Sequence, residues 1–279
     1  MNAADIDKLW DFDDPAASEE RFRTQLSTLE GEDSSTRFQL MTQIARTLGL
    51  RNRFDEAHRL LDEVEAKMPG GDLVEVRYLL ERGRCFNSDH QPEKAVPLFE
   101  RAAELGRRLS EDFYTVDALH MLGIAAPEDG RMRWNQTAMD AANASSDERA
   151  RGWVGSLSNN MGWTYFDQAD YKSALDMFRQ AEEGWSKQGK DDLVRVARWS
   201  QGKALRLLSR VEEALATQRD LEKEELTGFT AEEIAECLLA LNQPAEAGPY
   251  FQKAYDELSQ IGWVAEDTDR IERLKQHAK

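Results

Sequence analysis

Residues 157–181 read LSNNMGWTYFDQADYKSALDMFRQA, and this stretch decides the fold. Leu157, Met161 and Tyr165 recur every four residues, and Tyr171, Ala174, Phe178 and Ala181 follow at spacings of three and four. That is the helical period. The polar link between the two runs, Asp167 to Asp170, is so short that the helices must lie antiparallel. Gly162 in the first run and Ala174 in the second stand twelve residues apart. Two small side chains facing each other across a hairpin let the helix axes approach to the short end of the usual range, roughly 8–10 Å.

Outward from this stretch the relation recurs. Ala45 pairs with Ala57, Gly83 with Ala95, Gly202 with Ala214 and Ala235 with Ala247, while Gly123 and Asn135 form a degenerate sixth frame. The second members are 38, 40, 39, 40 and 33 residues apart along the chain. A large apolar residue follows each four positions later (Leu61, Phe99, Met139, Phe178, Phe251), with Gln218 as the exception. It is expected to fill the space toward the next hairpin. Polar links such as LRNRF, SDHQPEK, APEDG, LSRVE and LNQPAE separate the helices. One hairpin cannot bury both of its faces, but stacked hairpins can. The strongest breaker, Pro69-Gly70-Gly71, ends a helix rather than a domain.

The ends read as caps. Asp14-Pro15 suits an N-cap followed by proline at the first helical position, and Phe22, Leu26 and Leu29 then form one apolar stripe. At the far end Asp267 and Asp269 precede Arg270, Arg273 and Lys275, an order that suits the helix dipole, with Ile271 and Leu274 available for packing. The expected organisation is an N-terminal acidic segment and capping helix over 1–34, about six hairpins over 35–260, and a C-terminal capping helix over 261–279.

Composition narrows the function. The 279 residues carry 36 Lys and Arg against 53 Asp and Glu, a net charge of −17. That balance opposes a nucleic-acid or anionic-membrane partner. No apolar run is long enough to span a bilayer, and the start, MNAADIDKLWDFDD, has no apolar signal core, so a cytoplasmic location is expected. Cys85 and Cys237 are too few and too far apart for a disulfide framework or a cysteine zinc site. The four histidines form no HExxH pair, and neither a phosphate loop nor a GxSxG elbow occurs. Asp62, Glu63 and Glu65 beside His58, and the EKEE run at 222–225, read as solvated helix surface. No cofactor, metal or catalytic residue is expected.

The repeating frame resembles the tetratricopeptide-repeat family. Met161-Gly162, Tyr165, Tyr171, Ala174, Phe178 and Ala181 occupy its signature places; so do Leu48, Phe54, Ala57 and Pro69 in the first repeat. Gly83, Phe86, Ala95, Phe99 and Ala102 match in the second, and Ala247, Phe251 and Ala254 in the last. The likeness spans roughly residues 35 to 260, with repeats longer than the usual 34 or so. It implies an all-α, right-handed superhelical solenoid of antiparallel helical hairpins. The first helix of each hairpin would line a concave groove. That groove would bind a protein or peptide segment, with no enzyme activity, in a chain compatible with a homo-oligomer.

On that frame the groove candidates are Gln39, Thr42 and Arg46, then Arg77, Arg84 and Asn87, then His120, Asn159 and Trp163, and last Trp199, Lys203 and Arg206. Arg46, Arg77, Arg84, Lys203 and Arg206 outnumber Asp117 on the first five repeats, against the bias of the whole chain. An acidic or carboxylate-bearing peptide is therefore the expected ligand, since arginine offers fixed donor forks to carboxylates. Asn159 would grip a partner's backbone, and Trp163 and Trp199 would give flat apolar contact or pack between hairpins. Charge reversal at Arg84 or Lys203 is expected to weaken binding without unfolding the protein. Thr42 and Arg46 stand where chaperone-binding relatives carry a Lys/Asn carboxylate clamp, which argues against that kind of partner. The alternative is a helical-repeat hydrolase or phosphatase whose carboxylates converge only in the fold.

Overall fold

The computed structural model describes residues 3–29 and 34–278, so residues 1–2, 30–33 and 279 of the expected end segments lie outside the described residues. Among the described residues all regular structure is helical. The chain divides into two compact units, Met1–Trp153 and Val154–Lys279.

The first unit opens with the short helix α1 (Ala3–Asp7) and the capping helix α2 (Pro15–Ser27). Three hairpins follow: α3 (Ser34–Leu50) with α4 (Phe54–Glu65), α5 (Leu73–Ser88) with α6 (Pro92–Leu109), and α7 (Asp112–Ala125) with α8 (Glu128–Ala144). The turn α9 (Glu148–Arg151) packs back on α7. The second unit also holds three hairpins: α10 (Val154–Asp167) with α11 (Tyr171–Ser186), α12 (Asp191–Leu207) with α13 (Val211–Glu224), and α14 (Gly228–Ala240) with α15 (Pro244–Leu258). The short α16 (Gly262–Ala265) and α17 (Thr268–His277) complete it.

Five of the six hairpins turn in the same way. Asn52, His90, Ala169, Ser209 and Asn242 each stand five residues before the second packed small residue, with φ between 57° and 61°. The amide of the next residue then reaches back five positions, as from Arg53 to Leu48 O and from Asp170 to Tyr165 O, each at 2.9 Å. This closes the last helical turn and reverses the chain. The hairpin of α7 and α8 instead turns at Ala126-Pro127, where proline's fixed φ starts the new direction.

The small residues are the packing device. Ala45, Ala57, Ala95, Ala174, Ala214, Ala235 and Ala247 are all fully buried. At Phe99 and Phe178 the large residue four places later lies on the glycine of its own hairpin, and Phe178 also shares a buried cluster with Ala204 and Leu205 of the next. A Cβ built on Gly83 would stand 2.5 Å from the Phe99 ring, and one on Gly162 would stand 2.5 Å from Phe178. Phe99 and Phe178 are fully buried as a result. At the exception, the amide of Gln218 covers Gly202 and donates to Trp199 O at 3.0 Å. A second close approach joins α10 to α11, where Gly184 faces the Gly155 backbone and Trp185 covers Gly155.

Both caps form. Asp14 Oδ1 accepts from Ala17 N at 2.9 Å with Pro15 as the first helical residue, and Phe22 is fully buried. Asp267 Oδ1 accepts from Arg270 N at 3.2 Å, and Leu274 and Ile271 pack onto the core that holds Phe251 and Leu258.

Candidate functional site

In the first unit the face formed by α3, α5 and α7 is a network of ion pairs. Arg84 donates to Glu81 at 2.8 Å and to Asp117 at 2.5 Å, and Arg46 lies 3.6 Å from Glu81. Burial alone would lower the Arg84 pKa, but the carboxylates of Asp117 and Glu81 outweigh it and raise it. At Arg46 burial and the neighbouring Arg84 charge win, and the pKa falls. Arg77 is only 2% exposed. It donates to Asp7 at 2.6 Å, to Tyr114 Oη at 2.8 Å and to Gln39 at 3.4 Å.

Gln39, Thr42 and Arg77 are thus buried, not open as a groove lining requires. The Thr42 hydroxyl turns back to Gln39 O at 2.7 Å. Asn87 sits half-buried on the last turn of α5. His120 is half-buried with its ring 4.8 Å from Trp153, and burial pushes its pKa down to about 4. The expected surplus of base disappears on this face because Glu81 and Asp7 enter from places outside the groove frame. Glu81 stands two residues before Gly83, and Asp7 comes from α1.

The second unit is different. Trp163, Trp199, Phe229 and Trp263 form a ladder with centroid separations of 5.9, 5.9 and 6.0 Å. They line a pocket of about 690 Å³ together with Val196 and Lys203. The Trp163 ring packs edge-on against Phe178 at 5.2 Å and also lines the pocket. Trp199 Nε1 donates to Phe229 O at 3.1 Å, which fixes the ring. Trp263 is 66% exposed and Val196 43%, a large apolar area left in water. Charges rim it. Lys203 Nζ sits 5.2 Å over the Trp199 ring and 3.6 Å from buried Glu233.

Arg206 takes Glu233 with two hydrogen bonds, at 2.8 and 3.1 Å, and Arg270 likewise holds Glu232. Burial opposes the Arg206 charge, but the Glu233 carboxylate outweighs it and raises the pKa. Arg206 is therefore committed within the unit, and Lys203 is the more loosely held of the two. Asn159 is half-buried on α10, and its Oδ1 has no hydrogen-bond partner among the described residues.

Several of the acidic groups singled out in the sequence have basic partners. Arg82 bonds Asp62, lies 2.9 Å from His58 Nδ1 and 3.8 Å from Glu65, so a guanidinium fills the space among them. In the EKEE run Glu222 pairs with Arg219 and Glu224 with Arg198. Cys85 and Cys237 are buried free thiols, and burial pushes both up to about 12. Among the described residues no group of three His, Cys, Asp or Glu side chains is placed to hold a metal ion, and no helix is long and apolar enough to cross a membrane.

Residues 159–224 match the tetratricopeptide repeat family. The match covers α10 to α13, the first two hairpins of the second unit. A search of curated proteins finds no match. Among solved structures the chain is similar to a tetratricopeptide repeat protein from Parabacteroides merdae, with 15% identity, 97% of each chain covered and a TM-score of 0.56. It is also similar to the apo form of RapI, at 13% identity and a TM-score of 0.71, covering 98% of this chain and 77% of that one. A third likeness is to NprR in complex with its cognate peptide NprX, at 13% identity and a TM-score of 0.56, covering 92% of this chain and 76% of that one. At these identities the likeness is one of fold. Tetratricopeptide repeats as a family are protein-interaction scaffolds.

Proposed function

We propose that this protein is a non-catalytic interaction module of the tetratricopeptide-repeat kind that holds a linear peptide segment of a partner against α10, α12 and α14. The observation that carries this reading is the aromatic ladder, with Trp263 and Val196 exposed at its mouth. Exposed apolar surface rimmed by charge marks a site of association. The ladder is rigid before any ligand arrives, because hydrogen bonds and packing already fix Trp199 and Trp163. The partner then bears most of the ordering entropy.

The bound segment presents apolar or aromatic side chains to the pocket. A carboxylate on it is met by Lys203, since Arg206 is already taken up by Glu233. The acidic character expected of the ligand is therefore secondary to its apolar character. The test is to select peptides from a random display library on the full chain and titrate them against Trp263→Ala. This exposed residue can be truncated with little effect on the fold. A loss of about tenfold or more in affinity is expected, the effect of removing an interface tryptophan. Unchanged affinity in Trp263→Ala and in Val196→Asp sinks the reading.

A further inference from the structure

The first residues of the first unit sit on its α3 and α5 face as a bound peptide would. Asp7 places one carboxylate oxygen 2.6 Å from Arg77 and the other 3.6 Å from Arg149. Ile6 is fully buried. Three residues after Asp7, Trp10 Nε1 donates to Gln43 Oε1 at 2.9 Å. Two residues further, the Phe12 ring stacks on Trp10 at 4.7 Å, and the Arg46 guanidinium stands 5.3 Å from each ring. One carboxylate and one aromatic pair are thus read by side chains on α3, α5 and α9.

The demand for that carboxylate is built into the unit. Arg77 has only neutral partners besides Asp7, namely Tyr114 and Gln39. A guanidinium so buried needs an anion beside it. The segment also leans on the helix that follows it, since Trp10 packs edge-on against Phe22 at 5.2 Å and Asp11 N donates to Ser18 Oγ at 2.8 Å. It has a single helical turn of five residues, and Phe12 is 60% exposed.

We propose that this face of the first unit is a recognition surface for linear acidic–aromatic segments: a carboxylate followed three and five residues later by aromatic rings. Residues 5–12 occupy it in cis, and a partner segment with the same pattern takes their place when they leave. The tether sets the threshold, because the short link to α2 gives the cis segment an effective concentration on the order of millimolar. The inference concerns the first unit and does not rest on the reading of the second.

The experiment uses the full chain carrying Asp7→Lys, Trp10→Ala and Phe12→Ala, which releases the segment. A fluorescent synthetic peptide of residues 5–14 is titrated against it by anisotropy. The released chain is expected to bind this peptide at least about tenfold more tightly than the wild-type chain, where the site is filled. The same peptide with Asp7→Lys is expected to lose about tenfold or more, because it leaves Arg77 without its anion. A released chain that keeps its circular dichroism and cooperative melt yet binds neither peptide overturns the proposal.

Hydrogen exchange on the wild-type chain guards against a variant that fails to fold. Amides of residues 8–13 should exchange far faster than those of α3 and α5, through opening of the segment alone. Exchange of the segment and α3 together, at the rate of global unfolding, makes the segment part of the core and overturns the proposal as well.

Discussion

Arg84 in the first unit and Lys203 in the second stand at the same place in their hairpins, one residue past the packed glycine. Their surroundings differ. Arg84 is clamped between Glu81 and Asp117, within a face that residues 5–12 help to cover. Lys203 lies over Trp199 beside an aromatic pocket and shares its carboxylate, Glu233, with Arg206. One repeat frame thus carries two kinds of face, one closed by charge pairing and one left apolar. The difference arises at positions next to the frame, not in the frame itself.

The largest expected effect breaks the comparison at this pair. Arg84→Gln leaves Glu81 and Asp117 buried beside each other and should cost about 3–5 kcal/mol of stability. Lys203→Gln should cost less than about 1 kcal/mol, because the pair is loose and Arg206 keeps Glu233. Denaturant melts of both variants check this, and equal losses erase the distinction between the faces. The expectation that either residue can be altered without unfolding the protein therefore narrows to Lys203.

A somewhat smaller effect tests what the units share. Gly83→Leu and Gly162→Leu each push a side chain into a phenylalanine ring, so both should cost about 3 kcal/mol by overpacking. Thermal melts showing a loss at one glycine and none at the other break the common frame.

The smallest effect sharpens the contrast by pH. Burial lowers the pKa of both His58 and His120, which lie in the first unit, and takes His120 to about 4. A histidine whose folded pKa lies below its ordinary value of about 6.5 lends stability that is complete above that value. This stability drains away as the pH falls toward the folded pKa. Between about pH 6.5 and 4 the wild-type chain should lose about 2 kcal/mol that His120→Leu does not lose, and α7 should open to hydrogen exchange before α12. Parallel pH profiles for the two proteins remove His120 from the account.

The hairpins were legible because close packing leaves its mark on the chain as small residues twelve apart. The caps were legible because Asp14-Pro15 and Asp267 satisfy helix ends locally. The charge of the groove was not. Glu81 and Glu233 sit two residues before the packed small residue, outside the lining positions, and Asp7 reaches Arg77 across 70 residues of sequence. A count of bases along one stripe omits acids delivered by neighbouring turns and by another segment. The aromatic ladder was half legible. Trp163 and Trp199 stood among the groove candidates, whereas Trp263 belongs to the connection after the last hairpin and joins them by stacking on Phe229. The direction of the Phe99 and Phe178 rings is likewise a matter of three-dimensional packing, which spacing alone leaves open.

The most direct measurement is hydrogen exchange of the full chain with and without a saturating peptide selected on it from a random library. Binding on the aromatic face predicts slowed exchange in α12 and α14, with α3 and α5 unchanged. Protection confined to α3 and α5, or to α13 and α15, would contradict the assignment of the second unit's first-helix face as the open one.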